Sequence, residues 1–334
     1  MFAIAADIGG TNTRIACLNF AENKQHVLAT ETYQSQEFTD IESVIDQFIH
    51  QNQISDTIDI ACFAIAGPVK NAEVSVTNLT WQISAAKLKE KFNTEYVFLL
   101  NDFSAIAYAI DTLDDTSCLT LQQGRNNGNN DVAIIGAGTG LGSCHVIKVD
   151  NQIIPLASEA GHASFSPQNH IQAEILQWLW QKNDFVSVES LVSGRGIVNI
   201  YQFLKHKAIV KEDMNIAEKI STDDAAKVIS ENYSKDELCQ QTIDLFLELY
   251  GAAVRNIVLH YYPLSTVYIA GGIGLKIKQQ LKSGKFINAF NHSEKMLHNL
   301  KQVEIKLLLD ENPGLTGAIN YCQLISQEKN IRSE

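Results

Sequence analysis

MFAIAADIGGTNTRIACLNF, residues 1–20, is two apolar runs joined by Gly9-Gly10-Thr11-Asn12. Runs of this length, broken by turn residues, predict two strands. Glycine at the bend lets the backbone approach a ligand closely and aim its N–H groups at phosphate oxygens. A plain Gly-Gly hairpin is the simpler alternative. Asp-x-Gly-Gly-Thr-Asn, residues 7–12, is more particular than that and points to a phosphate turn. Asp7, at the strand end, is placed to hold a metal ion through water.

The device returns in the other half of the chain. VAIIGAGTGLGSCHVIKV, residues 132–149, is again a strand, a glycine/threonine turn and a departing strand. A lone Gly-x-Gly-x-x-Gly-like run is a weak signal, often only a flexible turn. Its pairing with the first unit is explained by two similar α/β halves, each offering one phosphate hairpin to a shared cleft. The duplication is one of architecture rather than of residue identity.

Between the turns, strands alternate with helices, which predicts an α/β sheet with crossovers. A strand over 26–33 leads to a helix with apolar positions Ile41, Val44, Ile45, Phe48 and Ile49, and Thr39 and Glu42 fit a capping box at its start. Residues 58–66 form a near-continuous apolar run, as a sheet-centre strand should. Gly67-Pro68 ends it, and 74–79 leads through Thr77-Asn78 to Trp81 and a short helix from Ser84. The run 96–100 stops at Asn101-Asp102, and helical spacing resumes at Phe103. An amide and a carboxylate therefore sit at the carboxyl end of a strand, where open α/β sheets bind ligands. Capping of the next helix is the competing role.

Residues 122–131, QQGRNNGNND, are polar and glycine-rich and predict a mobile loop, with a domain boundary just before it, near 111–116. Glu159 and His162 lie three apart in a loop of small residues, 156–167, open to a ligand. Glu189 falls near the start of helices predicted over 188–203, where a first-turn acid is also ordinary helix chemistry. The charged stretch 205–236 reads as a solvated face, and 238–259 as a long amphipathic helix. A strand over 267–270 closes at Gly271-Gly272, where a flat base or ribose could lie against the backbone. A last strand over 303–309, a break at Pro313-Gly314 and a helix over 315–327 complete the chain.

The 334 residues make two domains the expectation. A net charge of −12 argues against a nucleic-acid or anionic-membrane surface as partner, but not against a nucleotide held by backbone amides and a metal. The first residues lack a basic region followed by a cleavage site and read as a core strand, so no cleavable leader is expected, and no apolar run approaches membrane-spanning length. The cysteines Cys17, Cys62, Cys118, Cys144, Cys239 and Cys322 form no Cys-x-x-Cys pair, so neither a disulfide framework nor a zinc site is indicated, and a reduced cytoplasmic protein is expected.

Taken in order, ADIGGTNTR (6–14), LTWQIS (79–84), NDFSAIA (101–107), GAGTGLG (136–142), EAGHASF (159–165), VESLVSG (188–194), YIAGGI (268–273) and NPGLTGA (312–318) resemble the signatures of the bacterial glucokinases of the hexokinase type. That family lies within the actin–hexokinase–chaperone superfamily. The resemblance implies a two-domain actin-like (ribonuclease H-like) ATPase fold, with a cleft between a small α/β domain (1–112 plus 313–334) and a large one (113–312). It implies ATP-dependent, Mg²⁺-assisted phosphorylation of the 6-hydroxyl of glucose, entering glycolysis, by a cytoplasmic homodimer. By the same resemblance Asp102 is the catalytic base, and Asn101, Asp102, Glu159, His162 and Glu189 bind the sugar. Ala6, Asp7, Ile8, Gly9, Gly10, Thr11, Asn12, Gly138, Thr139, Gly271 and Gly272 form the nucleotide site, with Asp7 toward the metal. One departure is Arg195, which stands in VSGRG where related sequences often have proline.

The rival classes are another phosphotransferase of the same fold, a sugar-sensing repressor, and a chaperone-like or filament-forming ATPase. The repressor should carry a basic helix-turn-helix arm ahead of its first phosphate strand. The related repressor/sugar-kinase branch also carries a cysteine-rich zinc motif, and here no cysteine lies between Cys144 and Cys239. The ATPase would not need the Asn101, Asp102, Glu159, His162 and Glu189 set.

Overall fold

The computed structural model describes residues 1–21, 24–114, 116–125, 130–149, 152–208 and 210–333. The chain divides into two compact units, Met1–Asp114 with Asn312–Glu334, and Asp115–Glu311. Residue 115, within the expected boundary segment, and residues 126–129 of the polar loop lie outside the described residues.

The first unit is built on strands β1 (Phe2–Ile8), β2 (Asn12–Ala21), β3 (Lys24–Gln34), β4 (Ile58–Ile65) and a short pair, β5 (Glu73–Ser75) and β6 (Gln82–Ser84), followed by β7 (Val97–Asn101). The main sheet runs β3-β2-β1-β4-β7, antiparallel from β3 to β1 and parallel from β1 to β7. Side chains alternate across a strand, so β1 splits its apolar residues between two layers. Ile4, Ala6 and Ile8 face helices α1 (Ile41–Gln51) and α2 (Ala85–Phe92) in a layer of large side chains. Ala3 and Ala5 join Ala16, Ala64 and Ala105 on the other face, where small residues admit the C-terminal helix, Pro313–Ser333, through Leu315, Ala318 and Cys322. Helix α3 (Asp102–Ile110) follows β7 directly. A methyl group on Gly317 would collide with the carbonyl of Ala105, so that glycine sets the close approach of the C-terminal helix to α3.

The second unit carries β8 (Cys118–Gln122), β9 (Val132–Ala137), β10 (Leu141–Val149), β11 (Gln152–Ser158), β12 (Thr266–Ala270) and β13 (Glu304–Leu308) in the order β11-β10-β9-β12-β13-β8. Its first five strands repeat the first sheet's plan: an antiparallel meander, β9-β10-β11, then parallel partners β12 and β13. Helices α4 (His170–Trp180), α5 (Gly194–His206), the short α6 (Met214–Thr222) and α7 (Ala225–Glu231), the 25-residue α8 (Glu237–Tyr261) and α9 (Gly272–Lys276) follow. The core packs α4, α5 and α8 against β9 and β12 around Tyr201, Phe203, Phe246 and Tyr250.

Several local expectations are corrected. Asp40, not Thr39, caps α1: its Oδ1 accepts the Ser43 N–H at 2.8 Å, and Thr39 bonds only to the Asp40 carboxylate. The aspartate fits one residue nearer the helix, where a capping side chain reaches the third amide. Residues 156–158, expected within the 156–167 loop, belong to strand β11, and β8 is an unforeseen antiparallel edge strand on β13. Pro313 begins the last helix instead of breaking the chain before it, because a first-turn proline lacks only an N–H that has no intrahelical partner. Among the described residues no helix is long and apolar enough to cross a membrane.

Candidate active site

In the first unit the parallel strands bring three chain segments to one edge. Ile8 pairs in register with Ile65, and Ile65 with Asn101. The glycine turn and Asp102 therefore each begin one residue beyond the same row. Two strand spacings separate them, roughly 10 Å.

The turn itself is braced. Gly9 N–H bonds the carbonyl of Asn12 at 2.9 Å, Ser35 N–H bonds the carbonyl of Thr11 at 2.9 Å, and Ser35 Oγ donates to the carbonyl of Gly9 at 2.8 Å. Ser35 is fully buried, and Thr13 Oγ1 lies 3.0 Å from its hydroxyl. Among the described residues no protein group accepts the N–H of Gly10 or Thr11. Those two donors, rather than Gly9, fit a phosphate. A methyl on Gly10 would lie 2.9 Å from the carbonyl of Thr77, which places the 77–78 turn against the glycine turn.

Asp7 opposes Arg14 across β1 and β2, with its Oδ2 3.8 Å from the guanidinium. Gly314, in the first turn of the C-terminal helix, sits against it: a methyl there would lie 3.0 Å from the carboxyl carbon. Among the described residues no group of three His, Cys, Asp or Glu side chains could hold a metal ion. One carboxylate beside a glycine turn with two open N–H groups nevertheless fits Mg²⁺, which keeps most of its waters and takes phosphate oxygens as partners.

Asn101 does cap α3, its Oδ1 accepting from Phe103 N at 3.0 Å and Ser104 N at 3.2 Å. Its Nδ2 also donates to the carbonyl of Gly67 at 3.2 Å. With both carbonyl lone pairs engaged, one N–H of the amide is left for a ligand. Asp102 is the first residue of α3, half-buried, with its Oδ1 3.0 Å from the Phe103 N–H. An acid there complements the positive end of the helix.

In the second unit the glycine turn follows β9. Gly138 N–H bonds the carbonyl of Gly140 at 2.8 Å, and the Gly138 carbonyl accepts from Gly194 N at 2.9 Å. Glu189, the second residue of a short 3₁₀ turn over Val188–Ser190, reaches back to this turn. Its Oε2 accepts the Leu141 N–H at 3.0 Å, and the carboxylate fills the space where a Gly140 side chain would stand. Its Oε1 lies 3.5 Å from Arg195, and its side chain is only 17% exposed. Ser193 Oγ donates to the Glu189 carbonyl at 2.7 Å and accepts from Gly196 N, capping α5. Glu159 and His162 sit 3.7 Å apart, both well exposed. Val188 N–H bonds the carbonyl of Ala163 and Phe165 N–H that of Val186, both at 2.9 Å, so the two acid-bearing segments run side by side.

Gly271 has φ +89 and packs against Ala137, next to the second turn, because Ala270 pairs with Gly136 across β12 and β9. Gly138 and Gly272 face open space. Thr139, next to Gly138 in the turn, is exposed. The structure thus gathers Asp7, Gly9–Asn12, Asn101 and Asp102 in one unit, and Gly138, Thr139, Glu159, His162, Glu189, Gly271 and Gly272 in the other. Sequence reasoning assigned no role to Ser35 or Gly314. A buried serine just after a strand carries no signal of its own, and Gly314 was legible only as part of a motif.

The model of the glucokinase family matches residues 4–325. The chain belongs to the glucokinase family. Membership makes it an ATP-dependent hexose kinase. A glucokinase of Nostoc sp. (strain PCC 7120 / SAG 25.82 / UTEX 2576) is 36% identical, the alignment covering 94% of this chain and 97% of the relative. Among solved structures, a glucokinase from an Antarctic psychrotroph has a TM-score of 0.78 at 27% identity, covering 97% of this chain and 99% of that one. A ROK family glucokinase from Streptomyces griseus, solved in complex with glucose and AMPPNP, has a TM-score of 0.66 at 20% identity, covering 97% of this chain and 100% of that one, and shares the fold. The two-domain actin-like sugar-kinase fold of this glucokinase-family chain follows from these likenesses.

Proposed function

We propose that this chain transfers the γ-phosphoryl group of ATP to the 6-hydroxyl of glucose, giving glucose 6-phosphate and ADP. The observation that carries the reading is the shared sheet edge on which Asp102 and the first glycine turn each begin one residue beyond the Ile8–Ile65–Asn101 row. Phosphoryl transfer passes through a loose transition state, so a protein mostly positions the groups and stabilises charge. Asp102 accepts the proton of the 6-hydroxyl as its oxygen bonds the γ-phosphorus and the bond to the bridging oxygen breaks. The N–H groups of Gly10 and Thr11 hold phosphate oxygens in the first unit; in the second the N–H of Thr139 does so, while Gly138, whose own N–H bonds the carbonyl of Gly140, leaves room for the phosphate at its Cα. Mg²⁺ held through Asp7 supplies charge neutralisation on the phosphates when bound. Gly271 and Gly272 lie against the nucleoside.

Ionised Glu159 and Glu189 each accept hydroxyl protons, His162 both donates and accepts, and Asn101 offers its remaining N–H. A missing or inverted hydroxyl leaves one of these groups unpaired, which is what gives a polar site its selectivity. We place the enzyme in the cytoplasm, as a homodimer feeding glycolysis. The family resemblance supports this, and so do six cysteines that are all free thiols. A coupled assay over glucose, mannose, galactose, fructose and N-acetylglucosamine tests the reading. The largest kcat/KM is expected for glucose, and a larger value for another sugar, or turnover of none, overturns it.

A further inference from the structure

Arg195 is placed against the local rules. It is the second residue of α5, whose cap is Ser193, and a cation in the first turn opposes the helix dipole. Its guanidinium is 65% exposed and meets one protein acid, the Oε1 of Glu189 at 3.5 Å. An exposed pair of that kind contributes little to stability. What it does is fix a carboxylate. Glu189 Oε2 is held by the Leu141 N–H and its carbonyl by Ser193, so Arg195 sets the remaining freedom, the torsion that decides where Oε1 points.

We propose that Arg195 is a positioning residue for sugar specificity: it orients the Glu189 carboxylate, which keeps open lone pairs for a glucose hydroxyl while bracing the second glycine turn. A carboxylate has about four acceptor positions, and the Leu141 N–H and Arg195 occupy two. The inference rests on the reading of Glu189 as a sugar ligand.

The test is a double-mutant cycle on the full chain. Arg195→Ala should raise the glucose KM, and the glucose Kd measured by calorimetry without nucleotide, by roughly two- to five-fold, the range of an exposed ion pair. The kcat and the ATP KM should stay unchanged, and Arg195→Lys should restore most of the glucose affinity. In a Glu189→Gln background Arg195→Ala should have no further effect on glucose binding. An equal effect of Arg195→Ala in both backgrounds overturns the proposal, as does a change confined to the ATP KM, which would make Arg195 a nucleotide contact. Loss of the underlying reading shows separately, as a Glu189→Gln variant whose glucose affinity equals that of the unmutated chain.

Discussion

Gly138 and Gly271 are both glycines of the proposed nucleotide site, yet the structure gives them opposite reasons for lacking a side chain. A methyl on Gly138 meets no atom within 4 Å, and its φ is not left-handed. Neither its N–H bond to Gly140 nor the Gly194 bond to its carbonyl is disturbed by a Cβ. No protein group therefore forbids alanine. Gly138→Ala should leave stability equal or raise it by about 0.4–1 kcal/mol through the unfolded chain. If a phosphate packs on that Cα, the added methyl stands where the phosphate must be, and the ATP KM should rise by at least about ten-fold, equivalent to roughly 1.4 kcal/mol. Gly271→Ala is the contrast. Its φ is +89 and its Cβ would lie 2.6 Å from the carbonyl of Ala137. The conformation alone costs roughly 1–2 kcal/mol. Thermal melts and initial rates at saturating glucose separate the two: a normal melt with poor ATP use for Gly138→Ala, a lowered melt for Gly271→Ala. Unchanged ATP KM in Gly138→Ala would refute the assignment of that turn to phosphate.

Asp102→Ala should lower kcat by at least about 10²-fold while the protein stays folded, its melt lowered only by the loss of a first-turn acid, since a general base contributes about that much or more. Near-normal turnover would remove Asp102 from the mechanism. Ser35→Ala leaves the Gly9 carbonyl without its hydroxyl donor and should cost about 1–3 kcal/mol while raising the ATP KM; urea unfolding and kinetics report both. Asn101→Asp keeps the Oδ1 that accepts both cap N–H groups but loses the amide N–H groups, one bonded to Gly67 and one proposed for the sugar, so a weaker glucose affinity at nearly full helix capping is expected by calorimetry and circular dichroism. The Ser43 N–H holds the Asp40 carboxyl below its usual value of 3.8. A depressed carboxyl stabilises the fold above its unfolded value and loses that stabilisation as pH falls through the folded one. Asp40→Ala should therefore cost about 1 kcal/mol at neutral pH, and its unfolding midpoint should converge on that of the unmutated chain below pH 3.8.

The sheets were legible because their signals are local. The 58–66 run reads as a central strand from composition alone, and Ile58–Ile65 is one, buried on both faces between β1 and β7. Strand β11 was missed because its exposed side chains, Ile154 and Leu156 among them, break the alternation that marks a half-buried strand. Only its register with β10, a long-range fact, makes it a strand. The same limit applies to Glu189. First-turn acid and ligand were the two readings in sequence, and neither contains its hydrogen bond to Leu141, 48 residues away. The capping of α3 by Asn101 was legible, because a cap at a strand end is defined by near neighbours.

The two sheets share one strand plan, but their glycine turns are not braced alike, and that difference lies in side chains rather than in topology. In the first unit the brace is the hydroxyl of Ser35, fully buried and neutral, bonded to a carbonyl. Nothing a ligand does can ionise it, and water does not reach it. In the second unit the brace is the carboxylate of Glu189, partly exposed, charged, and shared with an exposed arginine. A ligand hydroxyl that bonds to Glu189 shares the carboxylate that holds the Leu141 N–H, so its binding energy is felt at the second turn. Linkage between two ligands requires a group whose free energy both can change. Of the two braces, only Glu189 meets that condition.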